Sequence, residues 1–201
     1  MKPRGFSLVE LMVVMAIMAA LLGLVSPSLM DWMVNLRIRN ATDALLNGLQ
    51  QARQEAVRRN QNVSFWLVTS ASGDPSSLDN SCALSASSGS WVVSVRSPAG
   101  SCGSSPSPTT APMIVSTHPV GDGASGVSVA AVQSDGSTGA TQVEFNGIGS
   151  VVNAAPIARI DVESSANSSR YRSLRVEITG IGAFRMCDPA VASTDARACK
   201  L

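Results

Sequence analysis

Few of the 201 residues have the types and spacing that chemistry needs. A nucleophile requires a base beside it, and the chain has a single histidine, His118, which precedes Pro119 and reads as the cap of a turn at a strand end. Asp122-Gly123 and Asp135-Gly136 read as turns, because no series of alternating acids follows to ligate calcium. Gly147-Ile148-Gly149-Ser150 has no following lysine or helix with which to cradle a phosphate. The four cysteines, Cys82, Cys102, Cys187 and Cys199, contain no C-x-x-C, and His118 is far from all of them in sequence, which argues against a zinc site. Four cysteines allow three disulfide connectivities, and proximity favours Cys82–Cys102 and Cys187–Cys199. No catalytic residue, metal or cofactor is expected, and the chain does not read as an enzyme. The residue that stands out is Glu10, a carboxylate at the edge of an apolar run, where desolvation is expensive without a partner.

The elements that must position Glu10 begin at the N-terminus. Leu11–Met30 is twenty residues without a charge, about 30 Å of helix and enough to cross a bilayer core. Lys2 and Arg4 precede it, which places the N-terminus in the cytoplasm and the remainder outside. An exported domain with an even cysteine count is a disulfide context. Beyond Met30, apolar residues recur at Val34, Ile38, Ala41, Leu45, Leu49, Ala52 and Ala56, in steps of three and four. Arg37, Arg39, Asp43, Gln50, Arg53 and Arg58 take other positions, so the helix is amphipathic, with one stripe for a core. Gly23 and Pro27 interrupt the middle, and a kink or locally meltable stretch is expected there.

After Asn60 the pattern turns to short β segments: Val63–Val68, Trp91–Arg96, Met113–Thr117, Val127–Val132, Gln142–Phe145, Arg159–Val162 and Leu174–Ile178. Arg159–Glu163 and Arg175–Ile178 alternate as half-buried antiparallel strands do. Ser70–Ser90 and Pro98–Pro112 are Ser/Gly/Pro-rich loops that should bury little of their own and so need stapling by Cys82 and Cys102. The formal charge of +1 is spread unevenly: Asp31–Asn60 holds five arginines against three acids, and Gln61–Ala158 one arginine against five acids. No polybasic tract exists, so any nucleic-acid footprint must be local. The fold class is α+β, a long N-terminal helix packed on an antiparallel β domain.

Gly5-Phe6-Ser7-Leu8-Val9-Glu10 followed by an uncharged helix closely resembles the processing site of type IV pilins and type II secretion pseudopilins. The resemblance implies a leader at 1–5 cut by a prepilin peptidase between Gly5 and Phe6, methylation of the new terminus at Phe6, and an assembly role for Glu10 against a neighbour's N-terminal amine. Cleavage would remove Lys2 and Arg4 and leave the side chains at −1. It further implies a transmembrane helix half over 6–30, an amphipathic half over 31–60 and a periplasmic β domain over 61–201. The protein would sit in the inner membrane as a single-pass subunit and then enter a pilus. Its partners would be other major and minor pilins, the peptidase and the inner-membrane assembly platform.

The tail Gly180-Ile181-Gly182-Ala183-Phe184-Arg185-Met186-Cys187-Asp188-Pro189-Ala190, continuing to Cys199, resembles the end of minor pilins of the GspH/FimT family. So do Arg53–Arg59 at the helix end and Val143–Gly147 in mid-domain. Some FimT-type members bind DNA in transformation and carry Gly-Arg-x-Arg there; here Ala183 replaces the first arginine, removing roughly one phosphate contact. Arg185, Arg197, Lys200, Arg170 and Arg172 remain as candidate DNA-binding residues, with Tyr171 between two cations able to stack on a base. The opposing reading, which is preferred, leaves these arginines solvated or paired with Asp188 and Asp195 and makes Tyr171 a strand-edge residue. The family reading is a minor pilin acting in pilus assembly; a pilus-associated DNA receptor and a type II secretion pseudopilin are the alternatives.

Overall fold

The computed structural model describes residues 7–72, 74–123, 125–166 and 170–200, with the side chains of 23–28 outside the description. One helix, α1 (Leu8–Arg59, 52 residues), runs about 78 Å and stays helical through Gly23 and Pro27. It ends where Asn60 adopts the left-handed conformation (φ 50°), with its N–H turned back onto the carbonyls of Ala56 and Val57.

Nine strands follow among the described residues: β1 (Val63–Thr69), β2 (Ala83–Leu84), β3 (Ser90–Ser94), β4 (Ile114–His118), β5 (Val127–Val132), β6 (Gln142–Phe145), β7 (Arg159–Ser164), β8 (Leu174–Ile178) and β9 (Phe184–Cys187). They form two antiparallel sheets. In the first, β1 lies between β3, which continues to β4, and an edge made of β6 and β2; the second runs β5-β7-β8-β9. All seven segments read from the sequence are strands within a few residues. Two escaped that reading: β2 is only a two-residue pairing, and β9 lies in the Met- and Arg-containing tail, whose pattern is not β-branched.

The helical stripe is the seam of the fold. Ile38, Ala41, Leu45, Leu49, Ala52 and Ala56 are buried against Phe65, Leu67, Trp91 and Val93 of the first sheet and Ile160, Val162, Val176 and Ile178 of the second. Gly48 allows the closest approach, since a Cβ there would stand 2.7 Å from the Phe65 ring and 2.8 Å from that of Trp91.

Three expectations need correction. The stapled loops do bury something of their own: Cys82, Cys102 and Leu78 cover Trp66, Val68, Val92 and Ile114 on the outer face of the first sheet, a second small core. Both faces of β1 and β3 are therefore buried, which an apolar run alone does not specify. His118 does not cap a turn; it ends β4 stacked on Trp91, its cross-strand neighbour, with ring centroids 5.3 Å apart. Glu177, placed on a solvent face by alternation, is 2% exposed because the C-terminal tail lies over it.

Candidate functional site

Two regions carry the residues singled out above. At the N-terminus, the side chains from Leu8 to Leu22 stand outside the core, with Leu8 75%, Met12 64% and Leu22 67% exposed. Glu10 projects from this bare apolar cylinder and is exposed. Gly5 and Phe6 lie outside the described residues. Among the described residues no helix is long and apolar enough to cross a membrane; the uncharged run Leu11–Met30 includes 23–28, whose side chains are not described. Among the described residues the cylinder has no partner surface on the β domain, which packs against the other half of the helix.

The second region is the tail. Cys187 is bonded to Cys199 and Cys82 to Cys102. Glu177, Cys187 and Cys199 are within metal-ligand distance of one another, but both sulfurs are already spent in the disulfide and offer no thiolate. The loop between them closes on itself just past β9, where Asp188 and Ala198 form an isolated parallel bridge. Around it the arginines are met by carboxylates. Arg185 donates to Glu177 Oε2 from Nε (3.0 Å) and Nη2 (2.7 Å) and to the Ala198 carbonyl (3.2 Å), while Glu177 Oε1 accepts the Lys200 backbone N–H at 2.8 Å. Arg172 Nε donates to Asp188 at 2.6 Å. Arg197 grips Asp195 with two bonds of 3.0 and 2.7 Å and holds its carboxyl down at about 2, with a backbone N–H adding to the effect. Arg170 pairs with Asp31 on the helix at 3.0 Å, which raises the guanidinium's pKa, and lies 5.7 Å from the Tyr171 ring centre.

The tail thus brings Arg172, Arg185, Arg197 and Lys200 together, and each of the four candidate arginines has a carboxylate partner. Tyr171 is half-buried against the main core ahead of β8, not at a strand edge. The sequence reading missed Glu55, a buried carboxylate beneath the helix end. Arg58 holds its pKa below the usual range, with further help from Arg59 against the cost of burial. Its position one step before the core residue Ala56 was the available signal. Arg53 also fastens the Gly147–Gly149 turn, donating to the Gly149 carbonyl at 3.2 Å. Gly182 packs on that same carbonyl, where a Cβ would come within 1.9 Å.

A long helix, bare and apolar at one end and seated on a disulfide-stapled β domain at the other, defines a pilin-like filament subunit. Residues 41–182 match the family model of type II transport protein GspH, and residues 1–26 match the prokaryotic N-terminal methylation motif. The chain belongs to the GspH family and is a minor pilin or pseudopilin. Two crystal forms of the type IV minor pilin FimU of Pseudomonas aeruginosa are similar to it at 13% identity. They cover 78% of this chain and 92% or 97% of FimU, with TM-scores of 0.48 and 0.45. No curated protein matches in sequence.

Proposed function

We propose that this chain is a processed, membrane-anchored subunit that is drawn into a type IV pilus and contributes to its assembly. The carrying observation is the contrast along α1: buried at every stripe position from Ile38 to Ala56, and more than half exposed at its large apolar positions from Leu8 to Leu22. That much apolar surface needs a cover, first lipid and then the helices of neighbouring subunits. In this reading residues 1–5 are a leader removed by prepilin peptidase, Phe6 becomes a methylated terminus, 6–30 span the inner membrane and 61–201 face the periplasm. Glu10 is the register device: a carboxylate in apolar surroundings is stable only opposite a cation, and the amine of an adjacent subunit supplies one. Major and minor pilins and the assembly platform are the partners. The role of a DNA receptor draws less support, since Ala183 stands where the DNA-binding members carry an arginine and Arg185 is engaged by the buried Glu177.

The test is Glu10→Ala in cells that express the full chain. The variant should be processed and retained in the membrane, yet be depleted from sheared filaments at least severalfold. Filament incorporation at the wild-type level would refute the register role, and absence of the wild-type chain from filaments would refute the proposed function.

A further inference from the structure

We infer that the groove between the membrane-proximal part of α1 and the C-terminal disulfide loop is a site for the headgroup of an anionic phospholipid. The inference rests on the proposal that Leu11–Met30 spans the bilayer. The groove is a cavity of about 540 Å³ with an apolar wall of Trp32, Leu36, Leu174 and Met186 and a rim of Arg39, Arg172 and Arg197. Two features of its wall are not explained by folding. Trp32 is 61% and Leu36 41% exposed, although the same helix buries Ile38 completely.

Position selects the occupant. Trp32 lies two residues beyond Met30, about 3 Å along the axis, which is the depth at which indole rings settle at a membrane interface. Arg39 is nine residues beyond Met30, about 14 Å, and side chains on a helix lean toward its N-terminus, so this guanidinium reaches back toward the headgroups. The groove therefore opens where a lipid's acyl chains meet its phosphate: apolar wall nearer the bilayer, cations above.

The carboxylates around the groove are already engaged. Asp188 is held by Arg172 and by the Ala190 N–H, Asp195 by Arg197, and Asp31 by Arg170. Arg39 meets Asp43 only at 3.9 Å, with its side chain 70% exposed. Each guanidinium carries five donors. The hydrogen bonds to Asp188 and Asp195 use one from Arg172 and two from Arg197, leaving capacity for phosphate oxygens. The Arg-rich balance of Asp31–Asn60 makes this stretch of the helix cationic overall.

The test uses the full chain in a nonionic detergent, with native mass spectrometry counting adducts of dioleoylphosphatidylglycerol against dioleoylphosphatidylcholine. The wild type should prefer the anionic lipid, and added salt should weaken the preference. With each basic residue near an anionic surface worth roughly fivefold, the charge reversal Arg39→Glu should lower the preference by roughly 20–30-fold. Trp32→Ala should reduce adducts of both lipids. Arg96→Glu, an exposed reversal in a loop of the first sheet, should change nothing. No preference in the wild type, or an equal loss in Arg39→Glu and Arg96→Glu, overturns the inference. So does a Trp32→Ala variant that alters oligomeric state but not lipid adducts, which would mean that a second copy covers the wall. Flotation with phosphatidylcholine vesicles separates the two levels. A chain that floats without anionic selectivity loses only the headgroup site; one that does not float refutes the membrane anchoring on which the site depends.

Discussion

Truncating Arg185 distinguishes a structural cation from one kept for a ligand. Its guanidinium is 37% exposed in side-chain terms, whereas the Glu177 side chain beneath it is 2% exposed. Arg185→Ala leaves a buried carboxylate without its guanidinium. Removing one partner of a fully buried pair costs about 3–5 kcal/mol. Solvent reaches Arg185, so the cost falls below that range, to about 2–3 kcal/mol with the lost bond to the Ala198 carbonyl included. For a domain of this size that is a fall in Tm of about 4–12 °C. The assay is thermal unfolding of the full chain in detergent micelles, disulfides intact, followed by the fluorescence of buried Trp66 and Trp91. The pair Glu177→Gln/Arg185→Met removes the buried charge together with its partner and should recover at least half of the loss. A Tm unchanged within about 1 °C in Arg185→Ala would refute the structural role and restore Arg185 as a cation available to DNA.

The packing and charges set three further outcomes. Gly48→Ala should lower stability by about 1–2 kcal/mol, because overpacking against Phe65 and Trp91 outweighs the gain in helix propensity; a Tm equal to or above wild type would refute the tight seam. Replacing Cys82 and Cys102 together by serine should cost about 3 kcal/mol for a loop of this length and expose Trp66 to aqueous quencher; quenching as in the wild type would mean that the second core stands without its staple. Glu55, with its pKa depressed in the fold by Arg58 and Arg59, contributes stability that is complete above its unfolded value of about 4.5 and lost as pH falls toward its folded value. Glu55→Gln should therefore flatten part of the fall in Tm as pH drops below about 5, and an identical pH profile for the variant would refute the pairing.

How much was legible depended on whether a signal was local. The helical stripe was fully readable, because a 3.6-residue period is imposed by the residue order and all its members from Ile38 to Ala56 are buried. β7 was readable for the same reason: its inward Ile160 and Val162 alternate with half-exposed Asp161 and Glu163. The reading failed where a distant segment covers a face. Glu177 has the pattern of an outward residue until Arg185 and the tail close over it, and Trp66 has the same chemistry whether its face is open or roofed by the Cys82–Cys102 loop. His118 was misread because its partner, Trp91, is 27 residues away and meets it only through strand pairing.

The sequence alone established the features that residue order dictates: the apolar run with Glu10 at its edge, the amphipathic continuation, the β segments and a cysteine spacing that favours two short loops. These are set by neighbours along the chain, so periodicity and composition suffice. Tertiary structure decided which charges are paired and with what. Arg170, Arg172, Arg185 and Arg197 are indistinguishable in sequence from solvated cations. Only the fold sets each against Asp31, Asp188, Glu177 and Asp195, because a charge's energy depends on what lies within a few ångströms and on how much water remains there.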